Sequence, residues 1–265
     1  MAPLVCTVGD LLLDVTVRIA GAAIVPDSDT DARNSVGAGG QAANVAAWAA
    51  ALGGRGRVIA KRARDAAGRA ATQELEARGV EVVGPVVEHG TGIVVALVRE
   101  TGDRSMLSDR GVAPELSPEE VDPAWAADAD WLHVAGYSLV RSPLAEAAAA
   151  AARGARRVSV DVSSVAAVEE IGVDEFRRRA AALRPEVVFA NEQEAELVGP
   201  EAPTVVVKLG ARGCRVNGEQ HPARPADVVD TTGAGDAFAA GFLLGGVELA
   251  LDAAARCVAR VGSMP

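Results

Sequence analysis

The stretch Val187-Val-Phe-Ala190-Asn191-Glu192-Gln-Glu194-Ala-Glu-Leu-Val198-Gly-Pro-Glu-Ala-Pro-Thr204-Val-Val-Val-Lys208 decides the fold. Two short apolar runs, 187–190 and 204–208, flank a segment, 192–198, that reads as a helix. Strands buried on both faces appear as continuous apolar runs rather than alternations, and a strand, helix and strand in succession is the unit of a parallel sheet. Outward from this unit the rhythm repeats. Residues 4–8, 56–60, 131–134 and 157–162 read as further buried strands, and 41–52, 66–78, 143–153, 173–183, 237–244 and 251–261 as helices. The pattern predicts an α/β fold, a mostly parallel sheet with helices on both faces. No repeat or low-complexity linker divides the chain, so residues 1–265 are expected to form one domain. The alanines of 147–152 need only their high helix propensity as an explanation.

Two segments break the rhythm. Residues 15–19 with 34–36, and 92–99 with 104–108 around a turn at 100–103, read as paired extended strands rather than strand–helix units. A small antiparallel sheet from segments of about 15–36 and 86–112 accounts for both, either as decoration or as a lid over a ligand. Val94, Ala96 and Val98 alternate with Ile93, Val95 and Leu97, so this sheet is apolar on both faces.

Composition bounds the function. A chain of 265 residues with 49% hydrophobic residues buries a full core, built on Ala, Val and Leu because aromatics make up only 3%. A net charge of -10 argues against general nucleic-acid binding, which needs a basic face. The start Met1–Asp10 lacks the basic and apolar regions of a signal peptide, and no uncharged run reaches membrane-spanning length, so a cytoplasmic protein without a membrane partner is expected. Cys6, Cys214 and Cys257 are odd in number and far apart, which suits buried thiols rather than disulfides or zinc ligands. His89, His133 and His221 likewise form no metal pattern.

Chemistry concentrates in two glycine-rich clusters. In Asp230-Thr-Thr232-Gly233-Ala234-Gly235-Asp236-Ala-Phe-Ala-Ala-Gly241, glycines around a small alanine expose backbone amides, and a helix starting near Asp236 adds the positive end of its dipole. That is an anion hole, with Asp236 either a helix cap or a base for an attacking hydroxyl. In Gly37-Ala-Gly39-Gly40-Gln-Ala-Ala-Asn44, the glycines either form a turn or admit a ligand, and Asn44 offers donor and acceptor to a polyol.

These clusters, in this order, resemble the two signature motifs of the ribokinase-like (PfkB-type) carbohydrate kinase family. Val8-Gly9-Asp10 with Asp14 resembles the family's opening substrate-binding strand, Asn191-Glu192-Gln-Glu194 its Asn-x-x-Glu motif, and Lys208-Leu-Gly210-Ala-Arg-Gly213 its strand and turn beside the nucleotide. The resemblance implies a three-layer α/β/α domain with a small β-lid. It implies transfer of the ATP γ-phosphoryl group to a hydroxyl of a small sugar or sugar-like substrate. In that reading Asp236 is the base; Gly233, Ala234 and Gly235 supply the anion hole; and Asp14, Gly39, Gly40 and Asn44 hold the sugar. Asn191, Lys208, Gly210 and Gly213 contact ATP, Glu194 orders Mg²⁺ through water, and Asp230 and Thr232 border a monovalent-cation (K⁺) loop closed by backbone of 257–262. A homodimer through the lid is a further implication. Without the resemblance, Glu192 and Glu194 equally suit an exposed acidic helix start.

The acceptor is narrowed by what is missing. Nucleoside kinases of the resembled family tend to sandwich the base with aromatics, and its sugar-acid kinases to carry Asn-x-Arg after the mid-chain Asp. Lid segments 15–36 and 86–112 contain no Phe, Tyr or Trp and Asp161-Val-Ser163-Ser164 no such arginine, so the resemblance disfavours a nucleoside and a sugar acid. For a sugar phosphate, Arg99, Arg104, Arg110 and Arg141 are available. Nucleoside, sugar-phosphate and sugar-acid kinases remain alternatives, as does a catalytically silent sugar-binding sensor, which would have no use for the intact 233–236 set.

Overall fold

Apolar runs of four or five residues become the buried strands of the central sheet, and the Ala-rich stretches cover it. The computed structural model describes residues 2–19, 24, 26–99 and 104–265. In chain order the elements are β1 (Leu4–Val8), β2 (Leu12–Ile19), β3 (Ala32–Gly39), α1 (Gln41–Ala51), β4 (Arg55–Ile59), β5 (Arg62–Ala63), α2 (Ala66–Ala77), β6 (Val80–Val83), β7 (Val86–Val87), β8 (Thr91–Arg99) and β9 (Arg104–Gly111). Then come α3 (Ala124–Ala127), β10 (Trp131–Ala135), α4 (Tyr137–Val140), α5 (Leu144–Gly154), β11 (Val158–Asp161), α6 (Val165–Ile171), α7 (Val173–Ala182), β12 (Val187–Asn191), α8 (Glu192–Val198), β13 (Thr204–Lys208), β14 (Cys214–Val216), β15 (Glu219–His221) and α9 (Ala234–Val258).

Nine strands form the main sheet in the order β15-β14-β13-β12-β11-β10-β1-β4-β6, parallel from β13 to β6 and antiparallel at the β14 and β15 edge. One side packs on α5 to α8, the other on α1 and α9. Trp48, Phe176 and Phe189 are the largest fully buried side chains; alanine fills much of the rest, which lets helices approach the sheet closely. Where α1 crosses β4, a Cβ on Gly56 would stand 2.1 Å from the Ala46 carbonyl oxygen. All three cysteines are free and buried, and burial pushes the Cys6 thiol up to about 12, beyond any reactive range.

The sequence reading missed β6, β14 and β15. β6 and β15 are edge strands, β14 joins β15 in a short hairpin, and all three keep partly exposed faces that blur the apolar run. It also placed the helix that follows the second glycine cluster too late. Gly233, at φ 78°, is the residue before the first turn, so α9 begins at Ala234 and bends at Gly245 and Gly246, between the two helices expected there. α9 alone among the described residues is long and apolar enough to cross a bilayer, yet half of that stretch is buried against the sheet, as suits a core helix.

A second, four-stranded sheet has the order β3-β2-β8-β9, with β2 and β8 parallel and the outer pairs antiparallel. The expected turn at 100–103 lies outside the described residues. Residues 86–87 pair instead with β5 in a separate two-stranded sheet. Asp14, Thr16, Val94, Ala96, Val98 and Met106 face a cavity toward the main domain. The opposite face leaves Ile93 and Leu107 exposed.

Candidate active site

The carboxyl ends of adjacent parallel strands are where open α/β sheets collect ligands. Asp161 ends β11, Asn191 ends β12 and Lys208 ends β13, with Asn191 and Lys208 paired in register. Facing them is the first turn of α9, whose leading amides have no partner within the helix. A Cβ on Gly235 would stand 3.3 Å from the Lys208 ammonium nitrogen, so the lysine lies directly against the glycine turn.

Asp236 sits in that turn, 8% exposed. It does not cap the helix, because the cap position belongs to Gly233; the carboxylate points inward. Asn44 Nδ2 donates to Asp236 Oδ2 at 2.7 Å, and the Gln41 amide stands close enough to favour the ionised carboxylate. Burial, with a smaller push from the Asp161 charge, raises Asp236 to about 7, while Asn44, Lys208 and Gln41 pull the other way. Asn44 is itself oriented, since Ser263 Oγ donates to its Oδ1 at 3.1 Å and Trp48 Nε1 donates to the Ser263 carbonyl at 2.8 Å. The structure joins Asn44 to Asp236 rather than to Asp14: Asp14 lines the cavity under the four-stranded sheet, and neither Asn44 nor Asp236 is among the residues around it.

That cavity has a volume of about 230 Å³ and is walled by Asp14, Glu74, Arg78, Asp230 and the backbone around Ser263. Burial and the nearby Glu74 charge raise Asp14 to about 6. Gly39 makes room for it: a Cβ there would overlap the Asp14 carboxyl at 2.0–2.2 Å. Gly40, at φ 97°, would drive a Cβ to 2.4 Å from the Asp10 carbonyl, so its first duty is the turn into α1.

Asn191 and Glu194 form a reciprocal cap on α8. Asn191 Oδ1 accepts from the Glu194 amide at 2.9 Å, and Glu194 Oε2 accepts from the Asn191 amide at 2.7 Å. Glu194 is buried rather than an exposed acidic helix start, and burial with the Asp161 charge raises its carboxyl. Asp230 Oδ1 accepts from the backbone and hydroxyl of Thr232, and Oδ2 from the Gly262 amide, which draws 230–232 and 262 into one loop cluster. Among the described residues no group of three or more His, Cys, Asp or Glu side chains stands ready to hold a metal by protein ligands alone.

A larger cavity of about 650 Å³ runs between the 208–213 turn and α9. Ala223, Pro225, Val228, Phe238, Leu251 and Val258 make it apolar, while Lys208 and Gly235 stand at its polar end. Gly210 and Gly213 hold left-handed φ angles in the turn, and a Cβ on Gly213 would meet the His221 carbonyl at 2.0 Å.

Two of the four arginines singled out for an acceptor phosphate are engaged elsewhere. Arg110 forms a two-point ion pair with Asp10, with bonds of 2.7 and 2.8 Å, and exposed Arg141 pairs with Glu170. Arg99 alternates onto the face away from the 230 Å³ cavity. The side chain of Arg104 lies outside the described residues. Sequence reasoning missed Asp161, Gln41 and Ser263 as parts of the site: each is an ordinary polar residue whose partners lie 47 to 219 positions away or come only through the fold.

Residues 2–264 match the pfkB family carbohydrate kinase profile. The chain is 35% identical to an ATP-dependent ribose-1-phosphate kinase of Halopiger xanaduensis, over 96% of this chain and 90% of that protein. Its fold superposes on adenosine kinase from Sinorhizobium meliloti with a TM-score of 0.84 and 28% identity, covering 100% of this chain and 96% of the other. It also superposes on aminoimidazole riboside kinase from Salmonella enterica, complexed with aminoimidazole riboside and an ATP analogue, with a TM-score of 0.78, 25% identity and coverage of 98% and 95%.

Proposed function

The chain belongs to the pfkB family of carbohydrate kinases, and from that premise we propose that it transfers the γ-phosphoryl group of ATP to a hydroxyl of a small sugar or sugar derivative, with Asp236 as the general base. The observation that carries this reading is the buried Asp236 carboxyl, raised to about 7 beside the first-turn amides of α9. A base poised near neutral pH is best matched to hydroxyl deprotonation.

The two cavities suit the two substrates. The apolar cavity of about 650 Å³ fits a nucleotide base and ribose, with Lys208 and Gly235 at the end where phosphates belong. Asp14 accepts hydrogen bonds from acceptor hydroxyls beneath the four-stranded sheet, which acts as the lid. Glu194 would hold water around Mg²⁺, and the 230–232 loop with Gly262 would border a monovalent-cation site. Mg²⁺, when bound, neutralises phosphate charge. The amides of Ala234, Gly235 and Asp236 hold the transferring group, Asn44 and Gln41 fix the Asp236 carboxylate, and Asp236 takes the hydroxyl proton. Little covalent chemistry is asked of the protein, so positioning and charge stabilisation dominate. A second copy of the chain covers the outer apolar face of the lid, and the enzyme works in the cytoplasm.

The test is ATP consumption with ribose, ribose 1-phosphate, fructose, sugar acids and ribosides as acceptors. Asp236→Asn should lower turnover by about 10²–10⁴-fold while nucleotide and sugar affinities, read by calorimetry, stay within a few-fold. Turnover near wild type in that variant would refute the role of Asp236, and binding without any phosphorylation would favour the silent sensor.

A further inference from the structure

Asp161 and Lys208 form a buried ion pair, of which the reading above gives Lys208 only a place at the phosphate end of the cavity and Asp161 no task. Lys208 Nζ donates to Asp161 Oδ2 at 2.5 Å, across the intervening strand β12, and Asp161 is fully buried. Its other oxygen accepts from the Ser163 amide at 2.9 Å. Ser163 Oγ in turn donates to Gln41 Oε1 at 2.6 Å, linking the pair to the residues that hold Asp236. A buried ion pair is a poor stabilising device compared with apolar packing, so its presence at a cavity rim calls for another reason.

We propose that the Lys208 ammonium is the fixed cation for the transferring γ-phosphoryl group, and that Asp161 is the positioning residue that holds it under the amides of Gly235 and Asp236. Three observations support this. Lys208 lines the larger cavity at the glycine turn, and its nitrogen lies 3.3 Å from where a Gly235 Cβ would be. One of its three protons goes to Asp161, and no other hydrogen bond of the ammonium is seen among the described residues. Lys61 and Lys208 are the two lysines among 26 cationic residues, so position 208 departs from this chain's general use of arginine. A compact ammonium fits against Gly235, whereas a forked guanidinium needs more room.

Charge favours the same assignment. Burial disfavours the Lys208 charge, but Asp161, Glu194 and Asp236 outweigh it and hold the group above its ordinary value, so the cation persists until phosphate arrives. The groups facing Asp236 are the Asn44 and Gln41 amides of α1, Asp161 of β11 and Lys208 of β13, with the Cys257 thiol farther along α9. Lys208 lowers the Asp236 pKa and Asp161 raises it. Removing one or the other therefore moves the base in opposite directions.

The proposal rests on the kinase reading and is tested beside Asp236→Asn, which reports on the base alone. Lys208→Met should lower kcat by about 10²–10³-fold, as loss of one transition-state donor does. Affinity for ADP, which lacks the γ-phosphate, should stay within threefold by calorimetry. Lys208→Arg should lose nearly as much activity as Lys208→Met. The acidic limb of the pH–rate profile should rise in Lys208→Met and fall in Asp161→Asn. The double variant Asp161→Asn/Lys208→Met removes both charges, avoids an unpaired buried ion, and should still show the loss in kcat. A kcat within threefold of wild type in Lys208→Met or in the double variant would overturn the proposal. So would a fall in ADP affinity equal to the fall in kcat, or limbs that move the same way.

Discussion

Asp236 shows how burial can make one carboxyl both a liability and a tool. Its folded pKa, about 7, lies above its ordinary value of 3.8, so between these limits the folded state binds a proton that the unfolded chain releases. The stability linked to that proton is fully present below about pH 4 and is lost as pH rises through 7. Replacing the carboxyl with an amide removes the loss. Asp236→Asn should therefore melt higher than wild type at pH 8, by about 4 kcal/mol at most, and equally at pH 4. His133, buried and held down at about 4, titrates in an overlapping window with the opposite sign, so the comparison is read as variant against wild type at each pH. Equal melting at pH 8 would show that Asp236 is not held above its ordinary value. The Asn-x-x-Glu and Gly-Ala-Gly-Asp patterns are legible in the sequence because each is a local helix start. The partnership of Asn44 with Asp236 spans 192 positions and leaves no local trace.

At the scale of elements, the close seats of the glycines say which contacts matter. β3 lies against β2 with Gly39 opposite Leu12, and only a residue without Cβ leaves the Asp14 carboxyl in place. The Asp14 side chain can swing aside, so Gly39→Ala should cost little stability but raise the acceptor KM about tenfold or more through the displaced carboxylate, one lost hydrogen bond to an ionised group being worth about 1.5–3 kcal/mol. An unchanged KM would remove Asp14 from the sugar site. Gly213→Ala should behave differently. Its Cβ would strike backbone at His221 with φ at 89°, so the variant should melt lower and lose nucleotide affinity together. Strands β1 and β10 to β12 were legible because they are buried on both faces, and the partly exposed β13 because its Val205-Val-Val207 run is unbroken. The edge strands and the four-residue α4 were not, since partly exposed short segments carry neither period.

For the whole molecule, the four-stranded sheet presents apolar residues on both sides, and only one side faces the domain. Leu107, 54% exposed, and Ile93, 38% exposed, stand on the outer side with Val95 and Leu97. With a second copy there, the protein should sediment as a dimer at micromolar concentration, and Leu107→Glu with Ile93→Glu should give monomers, because a buried charge without a partner costs more than the lost apolar contact. A wild-type monomer at that concentration would refute the arrangement. A net charge of -10 opposes self-association, so added salt should strengthen the dimer.

By itself the sequence determined the α/β class, the order of the strands β1, β4 and β10 to β13 with the longer helices between them, and the two glycine clusters, because each depends on neighbours a few residues apart. The tertiary structure alone decided what those groups do to one another. It set Asn44 on Asp236 and Asp161 on Lys208, and committed Arg110 to Asp10. The physical reason is range: helix starts and turns are local, whereas the desolvation and charge contacts that tune a site come from residues brought together only when the sheet closes.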